Sequence, residues 1–253
     1  MHHWRTELRN VLVALPRPVT LLVCVGAACE TCGETRELVE EVASISEGTV
    51  RLEVHDLDAH PPEATRYRID KAPAVVVLGD ETGRRDFGIR FYGSPAGYEF
   101  TTLIEDIRMA SRGTTDLSPA TVETLRHLTT RLHLQVFVTP TCPYCPRAAL
   151  LAHQMALVSD WVTADAVDAT EFPELADHYR VRGVPRTIVN DTVHIEGAVP
   201  EAHRNLGSTL SPADAGLAKN RHHRTPLRKR RLEQVQSDEQ REPQEVRIDV
   251  DPQ

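Results

Sequence analysis

Nowhere does this chain of 253 residues hold an unbroken apolar run of the roughly 20 residues that a membrane-crossing helix needs, so no membrane contact is expected. Its five cysteines are too few to staple a secreted scaffold of this size. It has no basic excess. Its 29 Lys and Arg stand against 37 Asp and Glu, and the net charge of −8 disfavours nucleic acid as the main partner of the folded part. Lysine is almost missing, with only Lys71, Lys219 and Lys229; nearly every basic residue is Arg, which reads as a composition bias and not as chemistry. The polar stretch from Met1 to Asn10 is followed by no apolar core with a small-residue cleavage site, so the expected location is cytoplasmic. The twelve histidines are scattered, and no pair has ligand spacing near the cysteines. Neither a metal nor a cofactor is expected.

What the chain does have is a cysteine motif written twice. Cys29-Glu30-Thr31-Cys32 is followed by Ala72-Pro73, with the proline 44 residues after Cys29. Cys142-Pro143-Tyr144-Cys145 is followed by Val184-Pro185, with the proline 43 residues after Cys142. A lone CxxC is ambiguous between redox work and metal binding. A CxxC and its proline repeated in register point to a duplicated redox fold. The length leaves room for two domains of roughly 100 residues and a tail. A hydrophobic content of 40% and a charged content of 26% are ordinary for a globular protein.

The pattern of elements also repeats. Residues 4–14 read as a helix with Trp4, Leu8, Val11, Leu12 and Leu15 on one side, ended by Pro16 and Pro18. Then come a strand at 19–25, a helix from Cys29 to Ile45, a strand at 50–55, a short helix at 61–67 and a buried strand at 74–78. Asp80-Glu81-Thr82-Gly83 is a hairpin turn into a strand at 87–92, and Pro95 to Ser111 closes the half as a helix. The second half reads as a helix at 119–130, a strand at 133–138, a helix from Cys142 to Val158, a strand at 161–168 and a helix at 173–179. Strands at 187–189 and 193–196 follow, then a helix from Pro200 to about Gly207. This βαβαββα order, twice over, predicts an α/β fold: a mixed central sheet with helices on both faces. The expected domains are 1–114, 115–210 and a disordered polar tail at 211–253, with a linker around Gly113 to Ser118 so short that the two halves could share one long sheet. The tail holds a basic run at Arg228 to Arg231 without interleaved aromatics, weak evidence for a nucleic-acid site.

A dithiol oxidoreductase needs a nucleophilic thiolate and a second thiol one helical turn away. The first attacks the target disulfide and the second resolves the mixed disulfide. The end of a helix offers unpaired N–H groups and a positive dipole, which can lower a cysteine pKa from about 8.5 to roughly 3.5–7.5. Cys142 is expected there, with Pro143 just inside the helix, Pro146 in its first turn and Arg147 nearby, and so to be a reactive thiolate. Cys145, three residues on, should sit deeper on the same face. Glu30 and Glu34 crowd the first pair, so Cys29 should be less ionised than Cys142. An X-Pro bond facing a CxxC can be cis, which turns backbone groups toward an extended substrate. The matched spacings favour that over an ordinary trans proline at a strand start.

These residues resemble the glutaredoxin-like protein disulfide oxidoreductases, which carry two tandem thioredoxin folds. The carriers are Cys29 to Cys32, the stretch Gly88 to Phe100, the stretch Phe137 to Pro146 with its Cys-Pro-Tyr-Cys signature, and Tyr179 to Pro185. The resemblance covers about residues 5–208. It implies disulfide reduction, with oxidation or isomerisation in some members, acting on disulfide-containing proteins and fed by a thioredoxin-reductase-like flavoenzyme. It also implies that Cys142 is the nucleophile of the dominant site, Cys145 the resolver and Pro185 a cis-proline, with Cys29, Cys32 and Pro73 as the partner set. Ala72, Val184 and Tyr144 would contact substrate. The sequence departs from thioredoxins proper, which carry a buried Asp six residues before the first cysteine; Val23 and Val136 stand there. Proton transfer to Cys145 must use another group or water. It also lacks the Asp of the glutathione-binding turn, having Gly197-Ala198-Val199-Pro200, which argues against glutathione.

Two other classes compete. Four cysteines could hold zinc or an iron–sulfur cluster, though each pair would sit at its own domain's sheet edge. A thioredoxin-fold binding module without turnover would keep its function when the cysteines are substituted. Cys24, the fifth cysteine, is expected to be a small buried apolar residue.

Overall fold

The computed structural model describes residues 3–201. The elements run α1 (His3–Val13), β1 (Val19–Val25), α2 (Cys32–Ile45), β2 (Val50–Asp56), α3 (Pro62–Arg66), β3 (Ala74–Gly79), β4 (Arg85–Tyr92) and α4 (Glu99–Arg112). The second half continues with α5 (Pro119–Arg126), β5 (Leu132–Val138), α6 (Cys145–Val158), β6 (Val162–Asp168), α7 (Pro173–His178), β7 (Arg186–Val189) and β8 (Val193–Glu196). The helix expected after Pro200 and the tail from 211 lie outside the described residues.

All eight strands belong to one sheet, in the order β2-β1-β3-β4-β6-β5-β7-β8. The first four strands in that order come from the first half and the last four from the second. The seam is a parallel pairing of β4 with β6, with Arg90 opposite Asp165 and Phe91 opposite Ala166. The short linker thus joins halves that share one mixed sheet. Strands β1, β2, β4, β6, β5 and β8 run one way; β3 and β7 run against them.

Successive residues on a strand face opposite sides, and here both sides are covered. Phe91 meets His153 of α6 edge-on at 5.1 Å, while its neighbour Tyr92 meets Phe172, just before α7, at 6.4 Å. α2, α4 and α6 line one face; α3 and α7 line the other, on a core that includes Leu22, Val76, Tyr92, Phe137, Val167 and Ile188. Coverage on both faces is why β1 and β3 read as mostly apolar runs in the sequence, with Thr20 the polar exception in β1. The edge strand β2 is only partly buried, with Arg51, Val54 and Asp56 exposed.

Several expectations need correction. Both active-site helices begin at the second cysteine of their motif, Cys32 and Cys145, and not at the first. Pro143 therefore lies in the turn before α6, and Pro146 takes the first-turn place where a missing N–H costs nothing. α4 starts at Glu99 and not Pro95, because residues 93–98 form a loop. α5 stops at Arg126, short of Thr130. On α1 only Leu12 is fully buried, and Trp4 is 50% exposed, so the apolar stripe is largely uncovered. The Asp80–Gly83 turn forms as read: the Asp80 carboxylate accepts from the N–H groups of Thr82 and Gly83. Cys24 is buried on β1, and burial pushes its thiol up to about 11, as befits a packing residue.

Candidate active site

Each cysteine pair follows the C-terminal end of a strand. β1 leads through Gly26 to Cys29, and β5 leads through Thr139 to Cys142. Because β1 and β5 run the same way, both pairs open on the same edge of the sheet. Three strands separate β1 from β5. Four inter-strand spacings put the two strands roughly 19 Å apart. No single ion spans that distance, so the two pairs cannot form one Cys₄ site.

The turns are built alike. The Cys29 N–H bonds to the Gly26 carbonyl at 3.2 Å, and the Cys142 N–H bonds to the Thr139 carbonyl at 3.1 Å. Both pairs are joined as disulfides, with Cα–Cα separations of 5.5 Å. Cys142 is 8% exposed and Cys145 fully buried. Cys142 is thus the outer cysteine of its pair and Cys145 the inner one. Ala72-Pro73 and Val184-Pro185 are both cis. The Cys142 Sγ lies 3.8 Å from the Val184 carbonyl oxygen, which places the second proline loop directly against its cysteine. In the first half a Cβ on Gly26 would meet the Ala72 Cβ at 3.6 Å, so that loop also lies beside its motif. Tyr144 is 70% exposed at the mouth of the second site.

The charge asymmetry is also present in space. The first turn of α2 carries Glu34, whereas the first turn of α6 carries no acid and includes Arg147. A carboxylate near a helix N-terminus competes with a thiolate for the same dipole.

Sequence reasoning missed a buried polar cluster behind the second pair. Glu99 opens α4, and the preceding Tyr98 N–H bonds to the Pro140 carbonyl at 3.0 Å, two residues before Cys142. Burial raises the Glu99 carboxyl to about 7, against the lowering influence of Thr102 and His153. Farther along the α4–α6 contact, Asp106 and His153 are both fully buried, with Asp106 Oδ2 2.6 Å from His153 Nδ1. Burial opposes charge on the His153 ring, but the Asp106 carboxylate outweighs it and raises the pKa. No linear signal marks these residues, because they meet only when α4 of the first half packs against α6 of the second. A second missed group is Glu171, in the turn between β6 and α7. It accepts a hydrogen bond from the Thr31 hydroxyl, inside the first cysteine motif.

Comparison with known proteins agrees with this geometry. The thioredoxin domain family matches residues 132–205. Among solved structures, a protein disulfide oxidoreductase from Aeropyrum pernix is 30% identical, with a TM-score of 0.75, over 85% of this chain and 94% of that one. The NTD_N/C domain of alkylhydroperoxide reductase AhpF from Enterococcus faecalis is 26% identical, with a TM-score of 0.74, over 83% of this chain and 99% of that one. Among curated proteins, the alkyl hydroperoxide reductase AhpF of Escherichia coli is 23% identical over 215 residues, which is 85% of this chain and 37% of that protein. The chain therefore spans about two fifths of the length of the curated relatives it matches.

Proposed function

We infer that this chain, which belongs to the family of protein disulfide oxidoreductases, exchanges disulfides mainly through Cys142 and Cys145. The observation that carries this reading is the placement of Cys142: the outer cysteine of its pair, in contact with the Val184-Pro185 loop, in the turn just before a helix whose first turn holds no acid.

In the reduced protein the Cys142 thiolate attacks one sulfur of a target disulfide. A bond forms between Cys142 and the target, and the other target sulfur leaves and takes up a proton. Cys145 then loses its proton and attacks the Cys142 sulfur. The Cys142–Cys145 disulfide closes, and the second target thiol is released. Two electrons have passed from the chain to the target. Val184 and Pro185 offer the backbone edge on which an extended target segment can pair, and Tyr144 flanks it. Ala72 and Pro73 play the same part for Cys29 and Cys32.

We assign to Glu99 the role left open by Val136: its buried carboxyl, raised to about 7, follows Tyr98, whose N–H holds the Pro140 carbonyl in the loop before Cys142, and it would take the proton that Cys145 gives up. The halves at 1–114 and 115–210 each carry one redox pair. Partners on this reading are disulfide-containing proteins in the cytoplasm, with a thioredoxin-reductase-like flavoenzyme as electron donor. Among the described residues no helix is long and apolar enough to cross a membrane.

Dithiothreitol-driven reduction of insulin tests the reading. Cys142→Ser is expected to lose at least about tenfold in rate, while Cys29→Ser keeps more than half. A Cys29→Ser loss as deep as that of Cys142→Ser would move the main site to the first pair. Wild type no faster than dithiothreitol alone would remove general disulfide reduction.

A further inference from the structure

Thr31 stands at the N-cap of α2, where a threonine hydroxyl ordinarily accepts from a first-turn N–H. It makes no such bond here. Its hydroxyl donates instead to Glu171 Oε2, a residue of the other half. The second oxygen, Oε1, accepts from the Ser94 N–H at 2.7 Å. Both oxygens of Glu171 are thus held by the first half, although the residue follows β6. The fit is close. A Cβ on Gly93 (φ +97°) would come within 2.6 Å of the Asp168 Cβ and 3.2 Å of the Glu171 Cδ.

We propose that Glu171 is a positioning residue for the first cysteine pair, through which the second half sets that pair's redox balance. The inference rests on the reading of Cys29–Cys32 as a redox pair. Reduction of that pair creates a thiolate at the entrance of α2. A carboxylate bonded to Thr31, directly beside Cys32, repels that charge and draws on the same helix N-terminus. Repulsion in the reduced form alone favours the disulfide. The residue that corresponds to Thr31 in the second motif is Tyr144, whose side chain makes no cap bond and is exposed. The second pair therefore escapes this control, and the two pairs are set to different potentials.

The test equilibrates the full chain with a dithiothreitol redox buffer. Each protein disulfide reduced takes two electrons and two protons from one dithiothreitol, which closes to its cyclic disulfide. The oxidised fraction of each pair is read separately by differential alkylation and mass spectrometry. Glu171→Gln removes the charge and keeps one accepting oxygen, so that one of the two bonds, from the Thr31 hydroxyl or from the Ser94 N–H, is retained. It is expected to lower the oxidised-to-reduced ratio of the Cys29 pair about tenfold, equivalent to about 30 mV, and that of the Cys142 pair less than threefold. Glu171→Asp, which keeps the charge, is expected to stay within threefold of wild type at both pairs. A shift below threefold at the Cys29 pair in Glu171→Gln, or an equal shift at both pairs, overturns the proposal. Failure of the wild-type Cys29 pair to exchange with the buffer at all would instead sink the redox reading of that pair, and the tuning with it.

Discussion

Burial lifts the Glu99 carboxyl from its ordinary 4.5 to about 7, and that shift has a sign. The folded chain holds the Glu99 proton more tightly than the unfolded chain does. The stability this gives is fully present below pH 4.5 and is lost as pH rises through 7. Glutamine mimics the neutral acid and cannot ionise. The unfolding free energy of Glu99→Gln relative to wild type should therefore rise between about pH 5 and about pH 8.5, by up to roughly 3 kcal/mol. Urea unfolding of the oxidised proteins at several pH values measures it, and a difference flat across that range contradicts the assignment. Glu99 shows why part of the site is illegible in the sequence. It sits inside a family-like stretch, Gly88 to Phe100, yet nothing in the stretch says that its acid is buried. The same holds for Glu171, whose partners Thr31 and Ser94 lie far away in the chain. The cysteines and prolines are legible because their geometry is local and written twice.

Among the elements, strands are sharper in the sequence than helix ends. A strand covered on both faces reads as a mostly apolar run, and β1 is one from Val19 to Val25, with the buried Thr20 as its polar exception. Helix starts are blurred at both motifs because the turn before the helix has no periodicity of its own. Which strands form the seam between the halves is not legible, since β4 and β6 pair across a long stretch of chain. A tight point on it is Gly88, beside the register shift between β3 and β4. Gly88 has a φ of +81°, and a Cβ there would lie 2.7 Å from the Val162 carbonyl oxygen on β6. Gly88→Ala should cost about 1–3 kcal/mol from the left-handed backbone alone, with the steric clash against β6 adding to it. A urea midpoint equal to that of wild type would show that the seam is not tight at this position.

Across the whole molecule, one sheet aligns two cysteine pairs on one edge, and loops from both halves meet between them. The loop at 93–98 touches Glu171, which holds Thr31 of the first motif, and its Tyr98 N–H reaches Pro140 beside the second. The repeat in the sequence makes the duplication legible; the joining of the halves into one sheet is foreseeable only from the shortness of the linker. The pairs are alike in covalent design and different in electrostatics, and the central claim is that attack starts at Cys142. Trapping tests it most directly. In Cys145→Ser the resolving thiol is gone, so a target disulfide should stall as a mixed disulfide. After incubation of the reduced variant with insulin, peptide mass spectrometry should find the adduct on Cys142. An adduct found predominantly on Cys29, with Cys142 left as a free thiol, would contradict the account.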